Sequence, residues 1–156
     1  MIIGLGGIGS EIARKLHYGF NVKVIGVKKN KNTVEEDTFN YVENVIEMDE
    51  IKNHASNIDY FIFSLPKIEE GPILNEDFLS RIKKGVVIVN VGRGDAICEK
   101  TLYKGLKNEV IKGAALDVFT NEPLDSETVF YTDEEIRPKI LNYCHKADNG
   151  DFLSNI

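Results

Sequence analysis

Short runs of β-branched and aromatic residues alternate along the chain with longer stretches whose apolar positions recur every three or four residues. The runs fall at 2–3, 22–27, 44–46, 60–65, 86–91, 114–118 and 140–143. Most are short and nearly continuous in apolar character, as strands covered on both faces require. Between them, segments 8–17, 49–55, 75–82 and 99–106 carry the helical period, and in the first of these Ile8, Ile12 and Leu16 share one face. Asn75 ahead of Glu76 and Asp77 predicts a helix N-cap followed by acids, where the helix dipole favours them. Strand and helix in alternation predict an α/β protein, a doubly wound parallel sheet made of βαβ units.

The first run is unusual. In such a sheet the opening strand is central and ordinarily a full-length apolar run. Here only Met1, Ile2 and Ile3 precede a glycine. The sequence therefore predicts a chain that starts inside a structural element, with a short central strand and a marginal fold.

The chain has 156 residues, 42% hydrophobic and 28% charged, which predicts one soluble globular domain. Its net charge of −6 argues against nucleic acid as a partner, since such surfaces are basic. No apolar run reaches the length of a membrane span. The two cysteines, Cys98 and Cys144, lie far apart in a chain with no apolar leader, and this predicts a reducing, cytoplasmic setting. His17 and His54 show no metal-ligand spacing, so no metal site is expected. The acids Glu35, Glu36 and Asp37 read as a solvated face.

Gly4-Leu5-Gly6-Gly7-Ile8-Gly9 changes the picture, because it spells G-x-G-x-x-G between a strand and an amphipathic helix. In that context the first glycine permits a tight turn, the second lets a pyrophosphate approach the backbone, and the third lets helix and strand pack closely. Phosphates then meet the free N–H groups at the helix start. Gly4, Gly6, Gly7, Ile8 and Gly9 are thus candidate cofactor-binding residues of a Rossmann-type domain. After the second strand an NAD site presents a carboxylate to the adenosine ribose, whereas this chain presents Lys28-Lys29-Asn30-Lys31. Lys28 and Lys29 favour NADP (NADPH) over NAD, the alternative being a solvated lysine turn that contacts nothing.

Three further segments stand in order: Asn90-Val91-Gly92-Arg93-Gly94, then Leu116-Asp117-Val118-Phe119-Thr120-Asn121-Glu122-Pro123, then Cys144-His145. With the glycine loop and Leu65-Pro66, they give a sequence that resembles the NAD(P)-binding domain of the D-isomer-specific 2-hydroxyacid dehydrogenases, a family that includes phosphoglycerate dehydrogenases and glyoxylate/hydroxypyruvate reductases. The resemblance runs over residues 1–148, leaving 149–156 as the start of a return segment. It implies that Arg93 binds the substrate, that His145 is the catalytic acid and that Glu122 pairs with it. It also places Leu65, Pro66 and Asp117 at the cofactor. Small 2-keto or 2-hydroxy acids are the implied substrates and a homodimer through this domain the implied assembly.

These roles make chemical sense. A planar guanidinium holds a carboxylate with paired hydrogen bonds and polarises the neighbouring carbonyl. An imidazolium supplies the proton that the reduced oxygen needs, and a carboxylate beside it raises its pKa and fixes its orientation. Taken without the resemblance, Glu122 before Pro123 also reads as a turn residue, and Cys144 as a small apolar filler. The chain departs from the family at Tyr143-Cys144, where Thr-Pro is usual, and in a shorter loop at 67–71. With few residues before the glycine loop and after His145, the sequence is expected to provide the cofactor domain without the family's second, substrate-binding domain. Two functions are therefore expected as alternatives: the cofactor-binding portion of an oxidoreductase, inactive by itself, or a dinucleotide-binding module without turnover.

Overall fold

The structure, a computed structural model, describes residues 1–66 and 69–142. Seven strands, β1 (Ile2–Ile3), β2 (Ile25–Val27), β3 (Asn44–Ile46), β4 (Tyr60–Phe63), β5 (Val86–Asn90), β6 (Ile111–Leu116) and β7 (Ile140–Asn142), form one sheet. Their order is β3-β2-β1-β4-β5-β6-β7 with every neighbouring pair parallel. Strand order reverses between β1 and β4, so the doubly wound sheet expected from the sequence is present with its switch point beside the glycine loop.

The helices are α1 (Gly7–Phe20), α2 (Ile51–His54), α3 (Glu76–Leu79), α4 (Glu99–Lys107) and α5 (Val129–Thr132). α1 ends where Asn21 takes a left-handed conformation, φ 54°, and returns its N–H to the His17 carbonyl. Asn75 caps α3, its side-chain oxygen accepting the Phe78 N–H at 3.0 Å. The two residues of β1 divide the core. Ile2 packs with Ala13 of α1 and with Val24 and Val45, while Ile3 joins Phe61, Phe63, Phe78, Leu102 and Leu106 on the other face. A strand of two residues is enough because both are at most 1% exposed and both pair on each side.

Three expectations need correction. Ile8 was expected on the buried face of α1, but it is 63% exposed, and the buried positions are Gly9 and Ala13, small residues that let the helix approach the sheet closely. The second strand starts at Ile25 rather than residue 22, since the preceding residues climb back from the end of α1 and Val22 N–H still donates to the Leu16 carbonyl. β6 runs over Ile111–Leu116 rather than 114–118, with a register shift opposite Val86/Val87 that breaks the alternation near Lys112.

The sheet is covered unevenly. α2 to α5 all contribute to the Ile3 face. On the Ile2 face α1 is the one helix among the described residues. Beyond its reach Tyr60 of β4 remains 55% exposed and Leu141 of β7 54%.

One ionic cluster ties α4 to the segment leading into β7. Tyr103 donates its hydroxyl to Asp133 at 2.8 Å, and Lys107 bridges Asp133 at 2.9 Å and Glu135 at 2.7 Å. The Lys107 ammonium, then the Tyr103 hydroxyl, hold the Asp133 carboxyl down from 3.8 to about 2. A carboxyl with a folded pKa below its unfolded one stabilises the fold above the unfolded value, and that contribution is lost as pH falls through the folded value. Thermal melts of wild type should therefore drop between about pH 4 and about pH 2, and Asp133→Asn should lower the melting temperature near neutrality while flattening that acid drop. An equal acid drop in the variant would show that other carboxyls dominate.

Candidate functional site

The carboxyl ends of β1, β2 and β4 meet in a cleft of about 770 Å³. Its floor is the turn after β1. Gly4 lies at φ +104°, and a Cβ there would stand 2.9 Å from the Ser64 backbone and the Leu65 side chain. At Gly9 a Cβ would come within 2.1 Å of the Gly4 carbonyl oxygen, so the first turn of α1 sits directly on the loop. Ser64 closes the junction by donating its hydroxyl to that same Gly4 oxygen at 2.8 Å. Gly4 and Leu5 also both donate their amides to the Val27 carbonyl, at 3.1 and 2.8 Å, which ties the loop to the end of β2.

Gly6 and Gly7 behave differently. Nothing lies within 4 Å of where their Cβ atoms would be, and both are exposed. The opening amides of an α-helix have no helical acceptor, so the start of α1 offers free donors over an open floor. Those features fit a dinucleotide pyrophosphate, and Val27, Met48, Leu65 and Pro66 give the cleft apolar walls. Lys28 and Lys29 line the β2 side, with Glu47, Asp49, Glu69 and Glu70 at the rim.

A second group stands at the ends of β5 and β6. Asn90, 1% exposed, donates to the Arg93 carbonyl at 2.9 Å and accepts the Gly92 N–H at 3.1 Å, while its own carbonyl takes the Asp117 N–H at 2.9 Å. Its neighbours explain why glycines flank Arg93. A Cβ on Gly92 would stand 2.6 Å from the Leu65 carbonyl oxygen, and one on Gly94 2.0 Å from the Phe119 carbonyl carbon. Arg93 is thereby displayed between the β4 loop and the β6 loop. Its side chain is exposed and donates to the Gly92 carbonyl at 2.9 Å, with no carboxylate partner among the described residues. Glu122 is also exposed, and one of its carboxylate oxygens accepts the Phe119 N–H at 2.8 Å. Glu99 of α4 accepts the next amide, Thr120, at 3.1 Å.

Residues 1–138 match the family model for the NAD-binding domain of D-isomer specific 2-hydroxyacid dehydrogenases. The chain belongs to this family. The chain is 29% identical over 161 residues to glyoxylate/hydroxypyruvate reductase B of Enterobacter agglomerans, covering 99% of this chain and 48% of that one. It is 31% identical to glyoxylate reductase of Pyrococcus horikoshii, across 86% of this chain and 39% of the relative. A solved NADPH-dependent glyoxylate/hydroxypyruvate reductase of Sinorhizobium meliloti, in complex with NADP and sulfate, superposes with a TM-score of 0.76 at 27% identity, covering 90% of this chain and 43% of that one. The chain thus spans about half or less of the length of these relatives.

In this 2-hydroxyacid dehydrogenase domain the cleft gathers Gly4, Gly6, Lys28, Lys29, Leu65 and Pro66 from the residues expected at the cofactor. Gly7, Ile8, Gly9 and Asp117 do not line it. Gly9 is buried beneath the loop, and Asp117 is exposed at the end of β6. Arg93 and Glu122 are held by the two sides of one contact, Gly94 against Phe119. His145 and Cys144 lie outside the described residues, as do residues 67 and 68 of the short loop. Sequence reasoning missed Ser64, Asn90 and Met48. Ser64 and Asn90 stand at the carboxyl ends of adjacent parallel strands, and their polar side chains at the end of apolar runs were the available signal.

The two kinds of glycine should separate on substitution. Gly6→Ala meets open space and should leave the melting temperature within about a degree while weakening dinucleotide binding about tenfold or more, because its methyl occupies the phosphate floor. Gly9→Ala drives a methyl into backbone and should cost roughly 1–3 kcal/mol of stability or more. Melts and calorimetric titrations of both variants check this, and equal loss of stability in both would contradict the assignment.

Proposed function

We propose that this chain is the cofactor-binding part of a reductase that acts on a small 2-keto acid of the glyoxylate or hydroxypyruvate type, with NADPH preferred to NADH. The observation that carries the reading is the open Gly6–Gly7 floor at the switch point, one loop away from an arginine displayed without a carboxylate partner among the described residues. Lys28 and Lys29 in place of a carboxylate after β2 support the NADPH preference. The relatives named as glyoxylate or hydroxypyruvate reductases support the substrate class.

When bound, the nicotinamide supplies the hydride. Arg93 has donors left after its single bond to the Gly92 carbonyl, and these suit the two oxygens of a substrate carboxylate and the polarisation of the adjacent carbonyl. The Asn90 bonds keep that loop from collapsing, so the guanidinium is presented rather than folded away. His145, by family resemblance, gives its proton to the carbonyl oxygen. Glu122 has one oxygen committed to the Phe119 amide and the other without a partner among the described residues, and that second oxygen is the one assigned to His145.

In this reading the chain binds cofactor but provides one wall of the cleft in which the keto acid is held. Positioning of reactants is worth up to about 7–11 kcal/mol of barrier. The chain alone is expected to be stabilised by NADPH, by about 2.7 kcal/mol at a hundredfold excess over Kd, and to show negligible oxidation of NADPH with glyoxylate. Joined to a relative's substrate domain it should turn over, and Arg93→Gln in that chimera should raise the barrier read from kcat/KM by roughly 2–5 kcal/mol, the cost of truncating a desolvated charge pair. Absence of any stabilisation by either dinucleotide overturns the cofactor reading. Full activity of the Arg93→Gln chimera overturns the substrate role.

A further inference from the structure

The loop that follows β6, residues 117–123, carries Glu122, and three of its amides are held from different places. Asp117 donates its N–H to the Asn90 carbonyl at 2.9 Å and Phe119 to the Glu122 carboxylate at 2.8 Å, while Thr120 donates to the Glu99 carboxylate at 3.1 Å. The Glu122 bond spans three residues and stays inside the loop, so it gives the turn a shape but no fixed place on the protein. Phe119 supplies part of that place, 5% exposed with its ring 6.0 Å from that of Phe130. The rest falls on one peptide unit.

That unit joins Phe119 to Thr120. A Cβ on Gly94 would stand 2.0 Å from the Phe119 carbonyl carbon, 2.1 Å from its oxygen and 2.4 Å from the Thr120 nitrogen, so the whole plane lies on Gly94. A trans peptide plane is rigid, with its N–H and C=O pointing opposite ways. Holding the Thr120 N–H therefore holds the Phe119 carbonyl as well, and the hold comes from Glu99, the first residue of α4. An acid in the first turn of a helix is ordinarily accounted for by the helix dipole. Here the carboxylate also reaches out of its helix to a main-chain amide 21 residues on. Lys104 and Lys107 of the same helix pair with Glu76 and with Asp133 and Glu135, and Glu99 forms no ion pair with any described residue. α4 is a firm base for this reach, since its Leu102 and Leu106 are fully buried in the core.

We propose that Glu99 is a positioning residue for Glu122, locking the Phe119–Thr120 peptide onto Gly94 and so fixing where the Glu122 carboxylate stands. The inference rests on the reading above in which Glu122 pairs with His145. Glu99 acts in it through the loop alone and touches neither substrate nor cofactor. Without its acceptor oxygen the peptide is free to turn, and the adjoining amide that holds Glu122 loses its fixed direction.

Amide hydrogen exchange of the full chain tests the positioning without any turnover. Glu99→Ala should speed exchange about tenfold or more at Thr120, the scale of one hydrogen bond to a charged group, and also at Phe119, whose acceptor is Glu122. Asp117, held by Asn90, should stay within about twofold and show that the ends of β5 and β6 are intact. Glu99→Gln keeps an acceptor oxygen and should restore protection at both positions. Faster exchange at Thr120 alone, or a Gln variant as unprotected as the Ala variant, overturns the inference and leaves the reductase reading standing. In the chimera with a relative's substrate domain, Glu99→Ala should lower kcat about tenfold with the KM for NADPH within about twofold, and should lower it less than about twofold when added to Glu122→Ala. Unchanged kcat, or an equal loss in the Glu122→Ala background, overturns the inference. A wild-type chimera without activity overturns the reductase reading and the inference with it.

Discussion

The Gly4 carbonyl oxygen is the point on which the site depends. Gly9 of α1 rests against it, too close for any Cβ, and beside Gly9 the Ser64 hydroxyl donates to it. One atom thus fixes the loop after β1, the start of the first helix and the end of β4. Because the strand order reverses between β1 and β4, their chain connections leave toward opposite sides of the sheet, and a crevice opens above their ends. A central strand of two residues can carry this load because Ile2 and Ile3 each bury completely on opposite faces, so the junction is anchored in both halves of the core.

The same device, backbone packed on backbone through glycine, recurs one strand further on. Gly92 lies against Leu65 and Gly94 against Phe119, with Asn90 bonding across the turn between them. Each contact would be blocked by a side chain. The result is a row of loops at one end of the sheet whose separations are set by main-chain contact, which is stiffer than contact between long side chains. Arg93 is carried on this row with its charge unspent among the described residues. Under the proposed function, stiff backbone beneath an uncommitted cation would meet a substrate carboxylate without reorganisation.

Much of this was legible in the sequence, for identifiable reasons. Strands such as 44–46 and 60–63 were readable because both-face burial leaves apolar runs, and the G-x-G-x-x-G spacing marked the loop between the first strand and α1 as the candidate cofactor site. Ile8 was misjudged since helical period alone cannot tell that Gly9 and Ala13 take the buried stripe when a helix must touch backbone. The start of β6 was misjudged because a register shift breaks the period of two. The lysine turn was readable as basic, but the bond from the Lys28 ammonium to the Thr33 carbonyl was not, since it depends on an Asn30-capped turn that leaves no pattern in residue type. Glu122 braces its own turn by accepting the Phe119 N–H, as its place before Pro123 allowed, while the His145 with which the resemblance pairs it lies outside the described residues.

The central claim is that a dinucleotide lies over the glycine loop at the β1–β4 crevice, and amide chemical shifts of the labelled chain titrated with NADPH test it most directly. The account predicts that the largest shifts fall on Gly6, Gly7, Ile8 and Ser10, with smaller ones at Lys29 and Leu65 and little change at α4 or α5. Saturable binding that leaves the Gly6 to Ser10 amides unmoved while shifting residues elsewhere would contradict it.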